Sequence, residues 1–440
     1  MKTGVQTPPD AGQEQVLQTL DSGFRRNDIM RCFWTFYESL ITDDEENRQM
    51  AETRYMTINM GPQHPATHGV LRVLLELDGE IVVKAVPHIG YLHRGVEKLS
   101  ESMTYHQALT LTDRLDYTSA LSNNLAYCLA VEKLLDLNIP KRAQYLRVLL
   151  AELQRIAAHL LWLATHALDL GAMTLLFYAF RERETIIETL ELVTGARLTP
   201  SFVRIGGLAA DIPDTFLPRV KEFVAAFPQC IDDYETLLTD NIIWKKRTQN
   251  VSPMSGEECL NYGVTGPVLR ASGVYYDVRK AYPYSSYEDF DFDIPLGKNG
   301  DVYDRYLVRL QEMRQSNRIV AQAVAKLPDG PVKAEDAPLF VPPDKEKISK
   351  DMAALIRHFK IMQEGFQAPP GEAYASVESS KGELGFYIIS DGTNKPFRMK
   401  IRPPSFINLG ALPKMIEGQM IADVVAAIGS IDIVLGEIDR

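Results

Sequence analysis

The chain has 440 residues, 45% hydrophobic and 24% charged, which is more than one small domain and excludes global disorder. Its 47 Lys and Arg against 58 Asp and Glu leave a net charge of −11, which argues against a general nucleic-acid binder. Cys32, Cys128, Cys230 and Cys259 stand far apart with no C-x-x-C pair, which argues against a disulfide scaffold and against a self-contained iron–sulfur or Cys-rich zinc site, and suggests a reducing compartment.

Residues 1–50 show no sustained period. Pro8-Pro9, the patch Gly23-Phe24-Arg25-Arg26-Asn27 and the acidic run 43–46 read as a disordered extension with one short helix around 32–40. Its aromatic cluster Phe33, Trp34, Phe36 and Tyr37 is a candidate docking element, and the polar opening 1–18 lacks the apolar run of a secretory signal. From Arg54 the pattern turns to strand. A strand over 54–60 leads into Gly61-Pro62-Gln63-His64-Pro65-Ala66-Thr67-His68-Gly69, where two prolines and two glycines leave no regular structure. Residues 70–77 alternate, with Leu71, Val73, Leu75 and Leu77 on one face and Arg72 and Glu76 on the other. Asp78-Gly79 turns the chain into a return strand over 80–86, so the histidine loop lies at the open end of a small sheet of 54–86.

Apolar residues at three- and four-residue spacing then predict helices over 95–110, 113–137, 141–170, 176–194, 213–240, 302–326 and 351–364. The stretch 160–180 comes nearest to the roughly 20 residues of a spanning helix. His166 and Asp169 interrupt it, and a helix buried in protein is expected. A meander follows over 373–401, with turns at Lys381-Gly382 and Asp391-Gly392, then a helix over 417–429 and a tail over 430–440. The architecture is α+β: a long-helix bundle over 95–364 with small antiparallel sheets at its margin, and no internal repeat.

Five of the eight histidines, His64, His68, His88, His93 and His106, fall within 64–106. His64 and His68 have the i, i+4 spacing of a metal-binding helix, but Pro65 and Gly69 make the segment non-helical and no H-E-x-x-H accompanies it. Metal ligation, a structural loop and hydrogen bonding or proton transfer all stay open, and the last is favoured because imidazole cycles near neutral pH. On the helix over 141–170, His159, His166 and Asp169 share an otherwise apolar face with Trp162, and Asp169 needs a partner if buried. Arg94-Gly95-Val96-Glu97 and Arg114-Leu115-Asp116-Tyr117 open two predicted helices and carry little signal by themselves.

The run from Gly61 to Arg72 resembles the signature of the 49 kDa subunit family of respiratory complex I. The resemblance extends over 54–440 through Pro87-His88-Ile89-Gly90-Tyr91-Leu92-His93-Arg94-Gly95, Arg270-Ala271-Ser272-Gly273, Tyr282-Pro283-Tyr284 and the terminus Gly436-Glu437-Ile438-Asp439-Arg440, and leaves 1–50 outside. That family is similar to the nickel–iron hydrogenase large subunit, which implies that fold for residues 51–440. Hydrogenases carry R-x-C-x-x-C and D-P-C-x-x-C. The matching positions here are Asp116, Ser119, Val434 and Glu437, so the thiolates that soft nickel needs are gone.

The resemblance implies a quinone (ubiquinone) headgroup site in the former metal cavity, with His64, His68, Tyr117 and Val434 lining it and no metal bound by this chain. It implies that Tyr117 and an imidazolium at His68 donate protons, and that Asp169 hydrogen-bonds His68 and raises its proton affinity. Arg94 and Arg114 match residues facing a [4Fe–4S] cluster in an adjacent subunit. The implied activity is that of a proton-translocating NADH:quinone oxidoreductase. The implied partners are the small cluster-bearing subunit, the 30 kDa subunit, the ferredoxin-like subunit and the membrane quinone-channel subunit, with no nucleic acid. The implied location is peripheral, on the cytoplasmic side of a bacterial inner membrane or the matrix side in mitochondria. A related membrane-bound hydrogenase subunit and a non-catalytic scaffold are the alternatives.

Overall fold

A computed structural model of the protein describes residues 55–334 and 339–440. The expectations for 1–50 lie outside the described residues. Strands β1 (Met56–Met60), β2 (Arg72–Asp78) and β3 (Ile81–His88) form an antiparallel sheet in that order, with Leu75 opposite both Ile58 and Ala85. The alternation in β2 works as its sequence indicates: Leu71, Val73, Leu75 and Leu77 are buried.

Two expected helices are shorter than their periodicity suggests. Instead of one helix over 95–110 there are α1 (Val96–Ser100) and α2 (Tyr105–Thr112). Thr104 separates them by capping α2, its hydroxyl accepting from Gln107 N–H while the Gln107 side chain accepts from Thr104 N–H. The next helix, α3, spans Ala120–Leu135 instead of starting at 113, because the Asp116 carboxylate accepts from both the backbone N–H and the hydroxyl of Thr118 (3.0 and 2.6 Å) and holds 113–119 as a loop.

The long helices α4 (Lys141–Asp169), α5 (Met173–Thr194), α6 (Phe216–Leu238) and, further on, Val302–Ala325 build the principal core, and α4 packs against both α5 and Val302–Ala325. By length and composition α4 is apolar enough to cross a membrane, yet 89% of its most apolar window is buried in the protein. Between α5 and α6 lies a two-strand hairpin, β4 (Val203–Arg204) and β5 (Gly207–Leu208). After α6 the chain makes four short helices that periodicity did not resolve: α7 (Ile242–Thr248), α8 (Gly256–Asn261), α9 (Gly266–Ala271) and α10 (Val278–Ala281). The helix Val302–Ala325 is α11, followed by α12 (Lys345–Lys350) and α13 (Met352–Gln363).

The meander is β6 (Gly371–Ser379), β7 (Gly382–Ser390) and β8 (Arg398–Arg402), and Ser379 paired with Gly382 leaves a two-residue turn, Ser380-Lys381. Four helices close the chain: α14 (Pro404–Gly410), α15 (Leu412–Ile416), α16 (Ile421–Ser430) and α17 (Leu435–Ile438). The segment expected as a tail is core. Ile431, Ile433, Leu435 and Ile438 pack with β2, β3, α15 and α16 in a second apolar cluster. This anchoring matters for the site, since 432–437 forms one of its walls.

Candidate functional site

The loop 61–69, the loop 113–119, the turn 380–381 and the segment 432–437 meet. In the first, His64 caps the short turn Pro65–Thr67, its Nδ1 accepting from Ala66 N–H (3.2 Å), while the Thr67 hydroxyl donates to the His64 carbonyl (2.8 Å). This turn packs against α16 and ends at His68 in a left-handed conformation (φ 52°). His68 is an exposed residue with protein packed closely around its ring. That enclosure, with the nearby positive charge of Lys381, pulls its pKa down to about 4.

Tyr117 is 42% exposed and its hydroxyl has no protein hydrogen bond described, so the phenol is free to meet a ligand. Partial burial and the neighbouring Asp116 raise its pKa, and Lys381 opposes them. Beneath it Lys381 is 1% exposed, with Nζ 3.1 Å from Asp116 Oδ2, 3.4 Å from Asp432 Oδ2 and donating to Thr118 Oγ1 (3.0 Å). Glu437 is buried, accepts from the Ser405 hydroxyl (2.5 Å), and is pushed up to about 8 by burial and by Asp116. Val434 is 5% exposed, and its N–H donates to the same Ser405 Oγ (3.4 Å).

The structure therefore brings His68, Tyr117 and the Asp116–Lys381–Asp432 group together, with Val434 and Glu437 on the adjoining wall. Two expectations change. No Asp169–His68 hydrogen bond is formed: the charge that acts on Asp169 is that of His64, and burial raises the Asp169 pKa. The proton affinity of His68 is lowered and not raised, because Lys381 supplies the charge beside it. His159 and His166 do not join the site as an acid–base set. His159 Nε2 lies 3.0 Å from Glu312, and His166 is stacked on Trp162 (centroids 5.2 Å apart). Among the described residues no group of three or more His, Cys, Asp or Glu has a metal-holding arrangement.

Arg94 and Arg114 are both exposed and adjacent, Arg94 Nη2 donating to the Arg114 carbonyl and Arg114 Nη1 to the Thr110 carbonyl (2.7 Å). Gly436 packs into the same corner. A Cβ there would lie 2.7 Å from the Leu115 carbonyl oxygen and 2.9 Å from that of Arg114. Gly436→Ala is expected to displace the loop that carries Tyr117 and to cost roughly 1–3 kcal/mol. Lower thermal stability of the protein is the measurable outcome; unchanged stability would refute it.

Lys381 was visible in the sequence only as a turn residue. A lysine in a hairpin turn is ordinarily solvated, and no local pattern marks one that points inward.

Residues 169–440, more than half of the chain, match the family described as respiratory-chain NADH dehydrogenase, 49 Kd subunit, and the chain belongs to that family. It is thus a subunit of an enzyme that passes electrons from NADH to quinone. The D subunit of NADH-quinone oxidoreductase from Geotalea uraniireducens (strain Rf4) is 58% identical over 391 residues, covering 89% of this chain and all of the relative. The protein of the same name from Trichlorobacter lovleyi matches to the same extent. Its namesake from Geobacter sulfurreducens is 57% identical over 391 residues, again 89% of this chain and all of the relative.

Proposed function

We propose that the cavity walled by His68 and Tyr117 receives the quinone headgroup and is where quinone becomes quinol. The observation that carries this is that an exposed phenol with no described protein partner and an exposed imidazole both lie within the field of the buried Lys381. Reduction takes two electrons and two protons. A [4Fe–4S] cluster in a neighbouring subunit is the proposed electron source, and the exposed, adjacent Arg94 and Arg114 suit the face turned to it. With its raised pKa, Tyr117 stays protonated at neutral pH. It donates a hydrogen bond to one carbonyl and gives up its proton once electron arrival makes that oxygen basic. His68 is neutral at that pH and contributes an N–H hydrogen bond to the headgroup, not an imidazolium proton; the second proton, and the one that restores the Tyr117 phenol, come from water reaching these exposed side chains. Asp169 lies within electrostatic reach of His64, at the other end of the loop that carries His68.

The loss of all four hydrogenase thiolates supports a quinone cavity on a hydrogenase-like frame. The protein is proposed to work peripherally, on the cytoplasmic or matrix face, against the small cluster-bearing, 30 kDa, ferredoxin-like and membrane quinone-channel subunits. Large exposed apolar side chains at Met173, Phe177 and Phe180, near the end of α4, support a chain that is covered in an assembly. Irradiating the assembled enzyme with a quinone carrying a photoreactive headgroup is expected to label segments 64–69, 113–119 or 432–437. Labelling confined to other segments would sink the assignment.

The lowered His68 pKa has a direct chemical readout. An ordinary histidine loses reactivity toward diethyl pyrocarbonate as pH falls through about 6.5. Carbethoxylation of His68, followed by peptide mass spectrometry, is expected to stay level between about pH 7 and 5. Since the folded state disfavours the imidazolium, the sign for stability is the same: His68 weakens the fold as pH falls from about 6.5 toward 4, and not above that window. Reactivity halving near 6.5 would contradict the environment described.

A further inference from the structure

We propose that Lys381 is the fixed internal cation of this site, a positioning residue whose ammonium ties the loop carrying Tyr117 to the segment carrying Val434 and sets the electrostatic field at His68. The inference rests on the quinone-site reading and adds to it a residue that touches neither headgroup carbonyl.

Lysine is almost never fully buried unless paired. Here the pairing joins two distant stretches: Asp116 Oδ2 at 3.1 Å, directly before Tyr117, and Asp432 Oδ2 at 3.4 Å, two residues before Val434. Thr118 Oγ1 (3.0 Å) and Ser380 Oγ (3.3 Å) take the remaining N–H directions. The backbone that delivers Lys381 is itself clamped. A Cβ at Gly266 (φ +72°) would lie 2.4 Å from Gly382 Cα and 2.7 Å from the Lys381 carbonyl oxygen, which Asn408 Nδ2 also reaches at 3.4 Å. The ammonium is therefore held by a tight hairpin turn wedged against α9, and not by a flexible side chain searching for partners.

Charge balance gives the cation its consequence. Asp116, Asp432 and Glu437 face the chamber from two segments, Glu437 held largely protonated near neutral pH. Lys381 enters from the β6–β7 turn. Arg309 enters from α11, stacked 4.2 Å over Trp162 and with its Nη2 unpartnered among the described residues. His166 on α4 is the other titratable ring coupled to His68. Two carboxylates thus face two cations. Without Lys381 the chamber carries an uncompensated negative charge, His68 takes up a proton more readily, and Tyr117 gives one up less readily.

The test uses the assembled enzyme with a short-chain ubiquinone, measured from pH 4 to 9, with ferricyanide as an acceptor that bypasses the site. Lys381→Met is expected to lower kcat by about tenfold with a smaller change in KM, because seating and field are lost more than binding. The acid limb of its pH profile should move up by about one unit. Lys381→Arg, which keeps the charge, should keep the wild-type acid limb. Lys381→Met/Asp116→Asn removes the charge pair together, so it should assemble even where the single variant does not. It should still show a raised acid limb, because the charge acting on His68 is that of Lys381 and not of Asp116, and a purely structural role does not predict that. A wild-type pH profile in the double variant overturns the proposal. If Tyr117→Phe is impaired in the same series, the quinone-site reading survives that result; if Tyr117→Phe turns over quinone like wild type, the site reading itself fails.

Discussion

Arg270→Met is expected to cost the fold roughly 3–5 kcal/mol, a large share of any domain's stability. Arg270 is fully buried and serves three carboxylates: Glu312 (2.7 Å), Glu378 (2.8 Å) and Asp277 (3.5 Å). Glu312 in turn meets His159, and Asp277 meets Arg279 (2.6 Å). Arg279 also reaches Glu152 (3.1 Å), which Arg155, the Tyr287 hydroxyl and the Ser316 hydroxyl satisfy further. The network binds α4, α9, α10, α11 and β6 into one unit, and Arg155 donates to the carbonyls of Glu378 and Ser379, immediately before the Lys381 turn. Cutting Arg270 leaves three buried acids short of a cation, and burial then drives them to protonate. The matched control is Arg197→Met, whose exposed pairs with Glu184 and Glu191 are worth about 1 kcal/mol or less. Thermal inactivation of the assembled enzyme should fall well below the control; equal stability of the two variants would show that the network is not a stability element.

What the sequence made legible follows from the range of the interactions. Periodicity within one element revealed β2 with its inward leucines, the non-helical histidine loop and nearly the full length of α4. Those patterns arise from neighbours in the chain, and the structure keeps them. The 113–119 loop was misread as helix because the Asp116 side chain competes for backbone donors, which apolar spacing does not register. The buried terminus was misread as a tail because the sheet that covers it lies more than three hundred residues away. The site divides the same way. His68 and Tyr117 were reached through family resemblance. Lys381, the cation that sets the charge around both, stands 264 residues after Tyr117 in a turn that looks solvated. The assumption that Asp169 supplies the charge beside His68 came from family resemblance; in the folded chain the charge that acts on His68 is that of Lys381.

Tyr117→Phe removes a single oxygen and is expected to lower NADH:quinone turnover about a hundredfold, near 2.7 kcal/mol of barrier, while NADH oxidation by ferricyanide stays near wild type. The separation of the two activities follows from where the oxygen sits. The hydroxyl has no protein hydrogen bond to lose, so phenylalanine leaves no unpaired buried donor behind, and the Asp116–Lys381–Asp432 group beneath the ring keeps its contacts. Assembly and electron entry should therefore survive, and the deficit should fall on the step that needs a proton at the quinone oxygen. Because His68 is neutral in the working range, it is a weak substitute for the missing phenol, which is why the loss should be large and not shared between two donors. It should also appear in kcat more than in KM, since a hydrogen bond that strengthens as the carbonyl gains electrons is realised mainly in the transition state. A scaffold that only positions a cluster-bearing neighbour predicts the opposite, equal turnover with both acceptors, and wild-type quinone reduction by Tyr117→Phe would decide in its favour.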